Sequence, residues 1–134
     1  MPGILLPPAI AAKGFIDAAI PINVTATAAL AGYAGAIVPA VTAITSAGTS
    51  IGIIQTALIP SGAIQPPSRI GLNTTAAILV QITAIQASIV AASAAAATPP
   101  TLISAFPAAT ILVGTQLATL SATIFTTLIL PQSI

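Results

Sequence analysis

The sequence has very little charge. Its 134 residues include three charged side chains, Lys13, Asp17 and Arg69, and histidine is absent. Soluble protein surfaces usually carry roughly 25–35% charged residues, whereas this chain carries 2%. A folded chain of this length still leaves roughly a third of its unfolded surface exposed. Most of that surface must therefore contact something other than water.

The missing residue types also exclude most catalytic chemistry. Cysteine and glutamate are absent in addition to histidine, and Asp17 supplies the sole side-chain carboxylate. Such a chain cannot build a carboxylate pair, a nucleophile activated by histidine, or a cluster of transition-metal ligands. We therefore expect no enzyme activity, no catalytic residues, no metal site and no cofactor. The lack of cysteine also excludes disulfide bonds.

The formal charge of +1 limits contact with nucleic acid. Binding through counterion release requires that several phosphates be neutralised by basic side chains, and this chain has two. Lys13 lies four residues before Asp17, a spacing typical of a pair on a helix surface, and Arg69 lies among prolines and serines. Both basic residues are candidates for a phosphate or partner contact. Such a contact is weak for one subunit and gains strength only by repetition.

The residues that are present predict helices. Alanine (31), isoleucine (22) and threonine (17) supply more than half of the chain. Isoleucine and threonine favour strands, but long alanine-rich segments, apolar spacings of three and four, and the lack of period-two alternation favour helices. We predict an all-α fold, a hydrophobic bundle of about four to five helices with breaks marked by prolines. Residues 1–134 form a single assembly domain.

Prolines set the predicted boundaries, because a proline inside a helix removes a hydrogen bond and clashes with the preceding turn. The first helix is short and ends before Pro21. Pro39 interrupts or kinks the next helical region, which is predicted as two halves, 24–38 and 40–59. The predicted segments are 1–22 (N-terminal arm and short helix), 23–59 (kinked helical pair), 60–73 (loop), 74–98 (helix) and 104–130 (helix).

Two kinds of side chain repeat at helical spacing. Apolar residues form packing seams, namely Ile78, Ile82, Ile85, Ile89, Ala92 and Ala96 in one helix and Val113, Leu117, Leu120 and Ile124 in another. Threonines form two hydroxyl stripes, one joined by a glycine and the other by a glutamine, namely Thr42, Thr45, Thr49, Gly52 and Thr56, and Gln116, Thr119, Thr123 and Thr126. The seams predict helix–helix packing inside the bundle, and the stripes predict separate faces beside them.

Three short motifs have alternative interpretations. Asn23 and Asn73 each begin an N-x-T triplet, the acceptor pattern for a glycan, but each also lies where a helix is predicted to begin. We expect them to cap those helices. Gly48 and Gly52 form a GxxxG pattern, which allows close approach of two helix backbones.

A chain of this length, made of Ala/Ile/Thr helices broken by prolines and nearly free of charge, resembles the major capsid protein of tailed spindle-shaped archaeal viruses of the bicaudavirus type. The resemblance covers the whole chain and rests on length, helix number and composition. It implies a helical, bundle-like subunit of the virion that polymerises into multi-start helical strands around double-stranded DNA. It implies no catalytic residues.

Hydropathy supports a second interpretation. The segments 24–59, 74–98 and 107–130 are long enough to cross a bilayer. Two features argue against a membrane protein. No cluster of basic residues flanks these segments to set their orientation, and one tyrosine, Tyr33, without any tryptophan cannot form the aromatic belt found at membrane interfaces.

We therefore expect a structural protein that assembles with itself into a virus capsid or tail tube enclosing DNA. The alternatives are a membrane or pilin-like subunit assembled with lipid, in a membrane or cell-surface filament, and a small channel or holin-like protein.

Overall fold

The structure is a computed structural model that describes residues 6–58, 72–97 and 105–130. These ranges are helical almost throughout and contain no strand, which confirms the predicted all-α bundle. The elements are α1 (Leu6–Ala28), a 3₁₀ turn (Leu30–Gly32), α2 (Tyr33–Ala36), α3 (Val38–Leu58), α4 (Leu72–Ala97), α5 (Ala105–Ile124) and a π-helical turn (Phe125–Ile129).

The four long helices close a ring of contacts. Helix α1 packs against α3 and α5, and α4 also packs against α3 and α5. Short α2 connects α1 to α3 and also contacts α4. The result is a four-helix bundle with one apolar core along its axis.

The core contains the predicted seams. All six seam residues of α4 are buried, from Ile78 to Ala96, and so are the four of α5, from Val113 to Ile124. Helices α1 and α3 contribute Ile16, Ile44 and other fully buried residues. Each fully buried side chain of this size stabilises the fold by about 1.5–3 kcal/mol relative to an exposed one.

The predicted end of the first helix was wrong. Helix α1 continues through Pro21 to Ala28. An interior proline costs about 3 kcal/mol, but continuation of the helix buries Asn23 and Ala26 in the bundle. The hydrogen bonds of Asn23, described below, add to that gain.

The predicted interruption of residues 24–59 exists, but it lies before Pro39 and not at it. Pro39 is the second residue of α3, in the first turn, where a missing N–H group leaves no helical bond unmade. The chain instead breaks between residues 29 and 37. Leu30 adopts a left-handed conformation there, with φ of 55°, and Gly32 and Gly35 lie in the same segment.

The remaining boundaries agree closely with prediction. Helix α4 spans Leu72–Ala97, so it begins inside the predicted loop 60–73, and most of that loop, with Arg69, lies outside the described residues. Gly48 of the GxxxG pattern lies against α4, where an added Cβ would be 3.9 Å from Ile82 Cδ1. No atom lies within 4 Å of a Cβ added at Gly52. Of the two glycines, Gly48 therefore allows close packing of α3 against α4 within the subunit, and Gly52 does not.

Candidate interaction surface

Large apolar side chains project from every long helix. Their exposed fractions include 66% at Val24 on α1, 56% at Ile53 on α3, 68% at Val80 on α4 and 67% at Ile111 on α5. The accessible surface totals 6546 Å², close to the roughly 6,300 Å² expected for a folded monomer of this mass. The apolar side chains are therefore the outer surface of a folded bundle, and their exposure does not reflect loose packing.

The exposed threonines add little polarity to this surface, because their hydroxyl groups bond back to their own helices. Thr49 Oγ1 donates to the Thr45 carbonyl at 3.2 Å, and Thr83 Oγ1 donates to the Leu79 carbonyl at 3.1 Å. Thr123 Oγ1 of α5 donates to the Thr119 carbonyl, and Thr126 Oγ1 of the π-helical turn donates to the Ala122 carbonyl. A hydroxyl satisfied in this way can lie against another apolar surface without loss of a hydrogen bond.

The predicted stripe on α3 is exposed at its threonines, while Gly52 is half-buried. Thr42, Thr45, Thr49 and Thr56 all face outward. In the second stripe, Thr119 of α5 and Thr126 of the π-helical turn are exposed, while Gln116 and Thr123 of α5 are half-buried. Both stripes therefore contribute to the outer surface, and part of the second stripe lies at the boundary between α4 and α5.

Lys13 and Asp17 form the predicted ion pair. Lys13 Nζ lies 2.7 Å from Asp17 Oδ2, and the two side chains are 31% and 44% exposed. Ser121 of α5 donates a hydrogen bond to the other carboxylate oxygen, Oδ1. Desolvation raises the pKa of Asp17, but the hydrogen bonds from Lys13 and Ser121 and the Lys13 charge outweigh it and hold that pKa below its usual value. No spacing pattern predicted the contact with Ser121, because that residue is 104 positions from Asp17.

This pairing affects Lys13 as a candidate phosphate contact. The Lys13 charge is neutralised locally by Asp17 at hydrogen-bond distance. A phosphate would have to compete with that carboxylate for the ammonium group. The second candidate, Arg69, lies outside the described residues.

Asn23 forms a buried polar link between elements. Tyr33 Oη donates to Asn23 Oδ1 at 2.9 Å, and Asn23 Nδ2 donates to the Thr110 carbonyl of α5 at 3.1 Å. The Tyr33 ring packs edge-on against Phe106, with centroids 5.4 Å apart. Burial raises the pKa of Tyr33 to about 12, so its hydroxyl remains protonated at neutral pH. Asn23, at 4% exposure, therefore couples α1, α2 and α5.

The predicted cap at Asn23 was wrong, because the residue lies inside α1. Both of its amide atoms are bonded in the core, so the folded chain does not present Asn23 to a glycosylating enzyme. Asn73 was also predicted as a helix cap. It is exposed and is the second residue of α4, so it lies inside the helix and not at the N-cap position. Asn23 was missed as a core residue because helix-start and core asparagines look alike in sequence.

A small cleft of about 140 Å³ lies between α4 and α5. Its lining consists of Gln81, Ala84, Thr115, Gln116 and Thr119. Gln116 Oε1 is buried there without a hydrogen-bond partner among the described atoms. These side chains are neither acids nor bases at neutral pH, and the Gln116 oxygen can accept a hydrogen bond from a group placed in the cleft.

Four described helices are long and apolar enough to cross a membrane, over Leu6–Ala28, Val38–Ala57, Asn73–Ala97 and Ala105–Ile129. This agrees with the hydropathy of the sequence and adds α1 to the predicted spans. Comparison with protein-family models, with curated proteins and with solved structures returns no match.

Proposed function

We propose that this protein is a structural subunit that assembles with many copies of itself, through uncharged helix faces, into the capsid or tail tube of a virus that encloses DNA. The observation that carries the proposal is the exposed apolar surface on all four long helices of a fully folded bundle. Contact between copies removes this surface from water, and the burial stabilises the assembly by about 25 cal/mol per Å² of apolar area.

The area of this surface favours an extended assembly over a dimer. A standard protein contact covers about 800 Å² on each partner, which is about an eighth of the 6546 Å² exposed here. A dimer would leave the other seven eighths of a nearly uncharged surface in water. Several different contacts per subunit, as in a tube or shell, cover much more of it.

The position of the ion pair favours protein over lipid as the cover for α1. Helix α1 has 23 residues and is about 34 Å long, and Asp17 is its twelfth residue. In a bilayer crossed by α1, the pair would lie near the midplane, where charged side chains are strongly disfavoured. A carboxylate that is 44% exposed is more stable beside water or polar groups of another subunit.

Apolar contacts would also give the assembly a characteristic response to salt. Salt screens exposed charges, but each subunit contributes three charged residues, and two of them already form a pair. Subunit contacts built from Val, Ile, Ala and Thr side chains do not weaken as ionic strength rises. Any contact with DNA would be weak per subunit and would add a small salt-sensitive part.

A membrane or pilin-like subunit assembled with lipid is the second candidate, and the four helices of bilayer length favour it. In that case, the same exposed valines and isoleucines would face acyl chains. The Thr hydroxyls, which bond within their helices, are compatible with either environment.

Expression of the full chain, followed by fractionation without detergent, tests the proposal. We expect tubes or shells visible by electron microscopy in the aqueous fraction, with no phospholipid in the particles by extraction and mass spectrometry. A parallel preparation in mild detergent serves as the control. Protein found only in membranes and soluble only in detergent would overturn the capsid proposal and support the second candidate.

A further inference from the structure

The turn between α1 and α2 is built from residues that favour a helix. Residues 26–31 are alanine and leucine apart from Thr27, and alanine and leucine have high helix propensities. A helix that ends through a left-handed residue usually has glycine there, because glycine has no Cβ to clash. Here that residue is Leu30, with φ of 55°, and the nearest glycine, Gly32, is two positions later. The local sequence therefore favours a continuous helix, and the fold imposes a turn.

Leu30 is the only described residue of this turn whose backbone is left-handed. Ala29, at φ −75° and ψ −11°, and Tyr33, at φ −53° and ψ −45°, have right-handed helical values. Gly32 lies close to that region, at φ −85° and ψ 6°. Rotation at Leu30 into the right-handed region, with small adjustments beside it, would therefore join α1 and α2 as one helix over residues 6–36.

Such a rotation would carry α1 away from its own bundle, because the turn at Leu30 is what folds α1 back against α3. The place that α1 leaves can be filled by α1 of a second copy, which brings the same side chains to the same positions. Asn23 would then bond to Tyr33 and to the Thr110 carbonyl of the neighbouring copy, as it does within one chain here. The packing of α1 against α3 and α5 is kept in the exchange, so the two arrangements differ mainly at the turn.

We propose that copies in the assembly exchange α1, so that α1 of each subunit packs against α3 and α5 of its neighbour. Two changes favour the exchange, namely release of the left-handed conformation at Leu30 and formation of helical hydrogen bonds across the turn. Short turns under strain are positions at which proteins exchange an element. Exchange also links copies readily, because it uses contacts that the fold already makes.

The exchange depends on protein concentration. It requires a second copy, so the closed bundle is favoured in dilute solution and the exchanged arrangement is favoured as concentration rises. Contacts between exposed helix faces hold copies close together in the assembly, which favours exchange further. This inference therefore rests on the proposed function, and it defines one of the links between subunits.

A double-cysteine variant tests the exchange, since the natural chain has no cysteine. Asp17 of α1 and Ser121 of α5 are in direct contact, so Asp17→Cys and Ser121→Cys in one chain can be joined by a short thiol crosslinker. In dilute, closed bundles we expect a crosslink within the chain, which is the control for the geometry. In assembled particles we expect the same reagent to join different chains, seen as dimers and larger species on a denaturing gel. Particles that give only internally crosslinked monomers overturn the exchange and leave the proposed function intact.

Leu30→Gly provides a second test, because glycine accepts the left-handed conformation and weakens the continuous helix. In the double-cysteine chain, we expect it to lower the ratio of interchain to intrachain crosslinks by about fivefold to thirtyfold. Ala34→Gly is the matched control, since that residue is helical in both arrangements and should leave the ratio unchanged. An equal ratio with and without Leu30→Gly would mean that closed bundles in contact give the interchain crosslinks, and would overturn the exchange.

The chain without cysteine gives a third measurement that needs no crosslink. We expect Leu30→Gly to raise the critical concentration for assembly by a similar factor, because it favours the closed bundle. An unchanged critical concentration overturns the exchange and leaves the proposed function intact. A wild-type chain that does not assemble overturns both.

Discussion

Tyr33 donates a hydrogen bond to Asn23 at 2.9 Å in the interior of the bundle. The bond joins the short helix after the chain break to the C-terminal part of α1, and Asn23 extends the connection to α5 through the Thr110 carbonyl. The surrounding core is apolar. A polar group that loses its partner in such a place costs about 1–3 kcal/mol.

Substitution of Tyr33 by phenylalanine tests this link. Tyr33→Phe keeps the ring and its contact with Phe106 but leaves Asn23 Oδ1 without a donor. We expect the free energy of unfolding to fall by about 1–3 kcal/mol, as measured by urea denaturation followed by circular dichroism in dilute protein. Thr49→Val is the control, since it removes an exposed hydroxyl from α3 and should change stability by less than about 0.5 kcal/mol. Equal stability of Tyr33→Phe and wild type would show that the bond does not stabilise the fold.

Two substitutions on α4 should separate folding from assembly. Ile85→Ala creates a cavity in the buried seam, and we expect it to lower the free energy of unfolding by about 2–5 kcal/mol. Val90→Ala removes exposed methyl groups and should leave folding nearly unchanged. Because Val90 is 68% exposed on the outer face of α4 and the proposed assembly covers such side chains, we expect its loss to raise the critical concentration for assembly by about fivefold to tenfold. Light scattering against concentration checks this, and an unchanged critical concentration would contradict the role of Val90.

The left-handed conformation of Leu30 leads to a third prediction. A side chain other than glycine costs roughly 1–2 kcal/mol in this conformation, and glycine loses more chain entropy on folding. We expect Leu30→Gly to be neutral or stabilising by up to about 1 kcal/mol. Ala34→Gly, four residues later in α2, should destabilise by about 1 kcal/mol. Thermal unfolding of both variants measures the difference, and equal destabilisation would mean that Leu30 is not strained.

The Asp17 carboxylate gives the fold a small dependence on pH. Its pKa is lower in the folded chain than in the unfolded chain, so the pair contributes fully above the unfolded value near 3.9 and loses its contribution as pH falls through the folded pKa. Because the group is partly exposed, we expect about 0.2–1 kcal/mol. Asp17→Asn should be less stable than wild type at pH 7 and equally stable near pH 2. A difference that persists at pH 2 would point to packing as the cause.

Periodic features of the fold were predictable from sequence. The spacing of Ile78, Ile82, Ile85 and Ile89 identified the buried face of α4, because a helix that buries one face must repeat apolar residues at three and four. The Lys13–Asp17 pair was predictable for the same reason. Both depend on spacing within a single helix.

Features that depend on distant residues were not predictable. Pro21 indicated a helix end, but packing of Asn23 and Ala26 against other helices outweighs the cost of the proline. Asn23 has its partners 10 and 87 residues away, and Ser121 reaches Asp17 from the other end of the chain. The break after Ala28 had a local signal in its paired glycines, Gly32 and Gly35, which the prolines on either side obscured.

Sedimentation velocity of the purified full chain, without detergent or lipid and over a range of concentration and salt, tests the central claim most directly. If neighbouring copies cover the apolar helix faces, large particles form above a critical concentration and persist from low to molar salt. A folded chain that sediments as a 13.0 kDa monomer at millimolar concentration would contradict the account.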